Sequence, residues 1–164
     1  MGPRPSRPHA GRRPAVRYFR EKAVAYLEDR LAICDLFVRY TTALDQGDVE
    51  TVVDCFTENA TLESPVIGVI AGSEAIRAFA ARFAAQRAGG TQFRHMITNI
   101  AVEFEPGGKR ARATAYLLVL ITRDGKSRRL PPGRYECAVI KQGDAWRFSR
   151  RIVFHDHDYT LKGI

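Results

Sequence analysis

A chain of 164 residues is long enough for one domain and short for two. Apolar residues at 45% and charged residues at 27% describe an ordinary globular chain, one that can fold without a disulfide or metal staple. The net charge of +8 is concentrated in residues 1–22, which carry +6, so the rest lacks the basic face that nucleic acid requires and no such partner is expected.

Residues 1–22 are basic and rich in Pro and Arg, and Met1 to Pro14 show no apolar periodicity. They are expected to be a disordered extension without a secretory signal, ahead of a domain over 23–158 and a tail over 159–164. No apolar run approaches the ~18 residues of a membrane span. Cys34, Cys55 and Cys137 are odd in number, far apart and set among apolar neighbours. They suggest small buried thiols in a reducing cytoplasm.

From Ala23 to Leu44, two lines of apolar residues recur at helical spacing: Leu27, Leu31, Cys34, Val38 and Ile33, Phe37, Tyr40, Leu44. Gly47 stops this helix, and Asp48 caps a second over Val49 to Phe56. A short strand is predicted over Asn59 to Val66. A third helix follows, with Ser73 as N-cap, Ala75, Ile76, Phe79 and Phe83 on its buried stripe, and Gly89-Gly90 as its end.

Four β-rich runs come next: Phe93 to Glu105, Ala111 to Thr122, Gly133 to Lys141 and Ala145 to Phe154. Short turns at Pro106-Gly107-Gly108, Arg123-Asp124-Gly125 and Gln142-Gly143-Asp144 join them as an antiparallel meander. The expected fold is therefore α+β, three N-terminal helices packed on a strongly curved, mainly antiparallel sheet. The open end of such a cone leaves an apolar cavity of the kind that takes small molecules.

Asp45 falls on the same side of the first helix as Leu31, Cys34 and Val38, so a carboxylate points toward the interior. It either bonds a nearby backbone N–H or is a buried acid oriented for proton transfer. His95 shares a strand face with Phe93 and Ile97, as a satisfied core residue or as a proton carrier fixed by Asp45. Tyr40, five residues before Asp45, could offer its phenol to a substrate oxygen or simply pack. Alternation sends one of Arg150 and Arg151 inward, to pair with Asp45 or to bind a substrate oxygen, unless both lie in a salt bridge at the rim. Tyr135 and Glu136 are candidates for the pocket wall.

His155-Asp156-His157-Asp158 superficially looks like a metal cluster, but terminal polar runs are usually solvated and no metal is expected. Without a Gly-rich phosphate loop, a nucleophile elbow or an HExxH motif, no cofactor is expected either.

The ordered set Ile33-Cys34-Asp35-Leu36-Phe37-Val38-Arg39-Tyr40, Ala43-Leu44-Asp45-Gln46-Gly47-Asp48 and Cys55-Phe56-Thr57-Glu58-Asn59-Ala60 resembles the opening of SnoaL-like domains, in the nuclear transport factor 2-like superfamily. Gly72-Ser73-Glu74-Ala75-Ile76, Arg94-His95-Met96-Ile97-Thr98-Asn99, Gly133-Arg134-Tyr135 and Trp146-Arg147-Phe148 continue the match over residues 24–156.

The resemblance implies a cone-shaped, commonly dimeric fold and, by analogy with scytalone and bile-acid dehydratases, an Asp45–His95 proton-transfer pair assisted by Tyr40 and by Arg150 or Arg151. Leu118 stands near the place where those enzymes carry a further His or Asp, and is expected on the substrate wall. The implied activity is that of a lyase or isomerase acting on a hydrophobic carbonyl compound. The alternatives are a non-catalytic ligand-binding or oligomerisation domain, or an accessory subunit like the β chain of ring-hydroxylating dioxygenases.

Overall fold

A computed structural model describes residues 14–159, with side chains from Phe19 onward. Residues 1–13 and 160–164, assigned above to the extension and the tail, lie outside the described residues. The helices are α1 (Pro14–Gln46), α2 (Val49–Asp54) and α3 (Ser73–Ala88). The strands are β1 (Phe56–Ser64), β2 (Gly68–Ala71), β3 (Gln92–Phe104), β4 (Arg110–Arg123), β5 (Lys126–Arg129), β6 (Gly133–Gln142) and β7 (Ala145–His155). Residues 14–22, expected in the extension, are instead the first turns of α1. Nothing between Ala15 and Gln46 is Pro or Gly, so no residue interrupts the helix.

The seven strands form one sheet in the order β2-β1-β7-β6-β4-β3, with β5 paired to β4. All pairs are antiparallel except β1 with β7. The architecture is the α+β arrangement expected. β2 and β5 were not anticipated, because Lys-Ser-Arg-Arg has no apolar alternation and Gly68–Ala71 is only four residues long.

The core is aromatic where α1 meets β1 and β7. Phe37 meets Phe148 edge-on at 5.2 Å, and Tyr40 meets Phe56 at 5.5 Å. Each such burial contributes about 1.5–3 kcal/mol, and pairing adds about 0.5–1.5 kcal/mol more. Of the two apolar lines on α1, only Ile33, Phe37, Tyr40 and Leu44 is buried. Leu27 and Leu31 are each 61% exposed and Val38 is 56% exposed.

At its C-terminus α1 turns on Gly47, whose φ of 76° lies in the left-handed region. A Cβ there would sit 3.1 Å from the Ala84 Cα, so the missing side chain also lets α3 approach. Asp48 caps α2 by accepting from the Thr51 N–H at 3.0 Å. The N-cap of α3 is Gly72 rather than Ser73, whose hydroxyl donates to the Glu58 carbonyl at 3.2 Å.

Candidate active site

The concave face of the sheet and α3 enclose a cavity of about 340 Å³. Its wall is mostly apolar: Phe79 and Phe83 come from α3, Phe93 from β3, and Leu117, Val119 and Ile121 from β4. These β4 residues alternate inward because the strand is buried on one face only. The polar groups along the lining include Tyr40, His95, Tyr135 and His155.

Asp45 and His95 meet where the last turn of α1 lies against β3. The Asp45 carboxylate accepts twice, from the His95 backbone N–H at 2.8 Å and from its ring Nδ1 at 2.5 Å. The two side chains are 12% and 7% exposed, respectively. Because a carboxylate only accepts, Nδ1 carries a proton, and in the neutral ring Nε2 keeps a lone pair. The imidazole lines the cavity with Phe83 beside it, ring centroids 6.2 Å apart.

Arg151 lies behind Tyr40 and Tyr135. Its side chain is fully buried, without a carboxylate partner among the described residues. Instead the guanidinium carbon sits 3.7 Å from the Tyr135 ring centre, 4.0 Å from Tyr40, 4.5 Å from Phe148 and 5.2 Å from Phe37. Ring faces carry partial negative charge and hold the cation. Burial pushes the Tyr135 phenol up to about 12, and the Arg151 charge opposes that rise. Tyr40 is raised by burial and opposed by Arg151 in the same way. Both remain phenols able to donate a hydrogen bond.

A model of the SnoaL-like domain matches residues 25–152. The chain belongs to the SnoaL-like domain family. Among solved structures, this SnoaL-like domain is similar to a Novosphingobium aromaticivorans protein described provisionally as an aromatic ring hydroxylase, at 31% identity and a TM-score of 0.68 over 80% of this chain and 92% of that one. It is also similar to a Catenulispora acidiphila protein in complex with S-DNPA, at 28% identity and a TM-score of 0.67 over 82% and 95%. An NTF2-like protein with a cystatin-like fold from Novosphingobium aromaticivorans shares the fold at 23% identity and a TM-score of 0.73, over 88% and 89%. No curated protein matches the sequence.

Of the expected site residues, this SnoaL-like domain brings His95, Tyr40 and Tyr135 to the cavity wall, with Asp45 bonded to His95. Three others lie elsewhere. Leu118 pairs with Met96 on the opposite face of β4 from the lining Leu117 and Val119. Glu136 accepts from Arg134 at 3.0 Å on that outer face. Arg150 is paired with Glu63 at 2.9 Å, at the β1–β7 seam.

A bulge decides between the arginines. Phe148 pairs with Val139 and Arg150 with Ala138, leaving Ser149 as an extra residue. Phe148 and Arg151, three apart, therefore both face inward. Arg151 does not itself line the cavity, whereas Tyr40 and Tyr135 do.

His155 and Tyr159 also line the cavity, and neither was among the expected site residues. The signal was the apolar run Ile152-Val153-Phe154, which carries β7 up to His155 rather than ending it before a solvated tail. Among the described residues no three His, Cys, Asp or Glu side chains gather as a metal site. Nor is any described helix long and apolar enough to cross a membrane.

Proposed function

We propose that this chain is a cofactor-independent lyase or isomerase acting on a small hydrophobic carbonyl compound of the polyketide, steroid or terpenoid class. The observation that carries this reading is the Asp45–His95 pair, tautomer fixed and ring lining an apolar cavity. His95 Nε2 takes a proton from the carbon α to the carbonyl, and the resulting imidazolium stays paired with the Asp45 carboxylate. The electrons move to the carbonyl oxygen, where the Tyr40 phenol donates a hydrogen bond to the enolate. Arg151 behind the phenols adds a fixed positive charge in a low-dielectric floor, favouring that developing anion. His95 then gives its proton to a leaving β-hydroxyl, releasing water, or to another carbon, completing an isomerisation.

Proton abstraction is measurable without knowing the product. In D₂O, wild-type protein is expected to speed α-hydrogen exchange of a cyclic ketone such as 2-tetralone, read by NMR, and His95→Gln to return it to the buffer rate. Wild-type exchange no faster than buffer across such ketones, or a rate that survives His95→Gln, would sink the proposal.

Exposed apolar residues support a second reading as an accessory or oligomerising domain. Leu27, Leu31 and Val38 stand on the outer side of α1, and Met96 and Tyr116 on the outer face of the sheet. The sheet face suits a homodimer, which sedimentation would detect. A copurifying partner together with no exchange activity would favour the accessory role.

A further inference from the structure

His155 ends β7 on the cavity wall, and five features of this chain hold it there. Its Nδ1 lies 3.3 Å from the Pro131 carbonyl, and Nε2 lies 3.1 Å from the Tyr159 hydroxyl. The two rings stack edge-on with centroids 4.7 Å apart. Across the β6–β7 ladder the partner of His155 is Gly133. A Cβ at Gly133 would collide with the Phe154 carbonyl and stand 3.2 Å from His155 Nδ1, so the absence of a side chain there lets β7 approach this closely. Beyond the strand, the Asp156 N–H donates to the Pro132 carbonyl at 2.9 Å and steers the chain back so that Tyr159 reaches the ring.

These contacts fix the direction of every proton. The Pro131 carbonyl can only accept, so Nδ1 donates and Nε2 is left as an acceptor. The Tyr159 O–H therefore donates to Nε2, leaving the lone pairs of its oxygen for an outside donor. Burial lowers the His155 pKa and raises that of Tyr159, keeping both neutral. The chain Tyr159 → His155 → Pro131 runs one way, and each bond polarises the next.

The sheet separates this pair from His95. His155, Gly133, Leu117 and Ile97 form one row across β7, β6, β4 and β3, and His95 lies two residues from Ile97. Three strand spacings amount to roughly 14 Å along the sheet and less across its concave face. Between the two ends the wall is apolar, with Leu117, Val119 and Leu130.

We propose that Tyr159 and His155 form a hydroxyl-recognition subsite, so that the ligand is a fused-ring hydrophobic compound bearing a hydroxyl at the end remote from the carbonyl that faces His95. The ligand O–H donates to the Tyr159 oxygen, extending the chain by one bond. A neutral acceptor of this kind favours a hydroxyl over an ether, which brings no proton, and over a carboxylate, which brings an unpaired charge. This rests on the ligand-binding reading above.

The test compares 2-tetralone with 6-hydroxy-2-tetralone by calorimetric titration against wild type, Tyr159→Phe and His155→Gln. Wild type is expected to bind the hydroxylated ketone about tenfold tighter, the size of one buried hydrogen bond. In Tyr159→Phe that preference is expected to fall to about one, and His155→Gln, a second route to the same link, should reduce it too. Equal affinity of wild type for both ketones, or a preference that survives Tyr159→Phe, overturns the subsite while leaving the ligand cavity standing. Failure of wild type to bind either ketone overturns the ligand reading and the subsite with it.

Discussion

Asp45 grips His95 at two points, its carboxylate accepting from the backbone N–H at 2.8 Å and from ring Nδ1 at 2.5 Å. One side chain thus docks the end of α1 onto β3 and sets which nitrogen of the imidazole is bare. Asp45→Asn separates these roles. An amide oxygen can still accept from the backbone, but its NH₂ cannot accept from Nδ1–H. The His95 ring is expected to shift toward the Nε2–H tautomer, read from its ¹⁵N shifts, with a stability loss of about 1–2 kcal/mol. Unchanged nitrogen shifts would show that Asp45 does not set the tautomer.

Arg151 is a buried cation met by aromatic faces and by no carboxylate among the described residues. Replacing a buried charge by an apolar side chain of similar length is often neutral or stabilising, by up to about 1–4 kcal/mol. Arg151→Met is therefore expected to melt at or above the wild-type temperature while slowing ketone exchange. That split would mark a charge kept to position the phenols electrostatically. A large fall in melting temperature would assign Arg151 to the core instead.

Gly47 combines a φ of 76° with an ideal Cβ position 3.1 Å from Ala84. Gly47→Ala adds left-handed strain and an overlap with α3, together about 2–4 kcal/mol. Urea unfolding should register this. Ligand affinity should fall as well, because Phe79 and Phe83 on α3 line the cavity.

Asp29 ties α1 to the β6–β7 hairpin, accepting from Lys141 Nζ at 2.6 Å and Trp146 Nε1 at 2.9 Å. Burial pushes its carboxyl up, but the two hydrogen bonds and the Lys141 charge more than reverse this, leaving it below 3.8. A depressed folded-state pKa contributes stability that is full above the unfolded value and lost as pH falls through the folded one. Asp29→Asn is thus expected to be less stable than wild type near neutral pH. The gap should close at the acid end of a urea-unfolding series, and a gap independent of pH would contradict the assignment.

The helical spacing in α1, the capping of α2 by Asp48 and the turn residues between strands made the α+β fold readable, because those signals are local. The Asp45–His95 pair was readable only as two inward-facing polar residues on separate elements, joined by resemblance. Leu118 and Glu136 went wrong by one residue each, since inward and outward positions alternate and family spacing does not fix the pleat.

What the amino-acid sequence by itself determined is therefore the set of elements, their order and the polar residues available to an apolar pocket. Tertiary structure alone decided which apolar line of α1 is covered, because burial depends on what packs against a helix and not on the helix. It also decided that the Ser149 bulge turns Arg151 rather than Arg150 inward, and that the pairing of His155 with Gly133 sets His155, with Tyr159 against it, on the cavity wall. Bulges and close cross-strand approaches are set by pairing between distant segments, and no single strand encodes its partner's register.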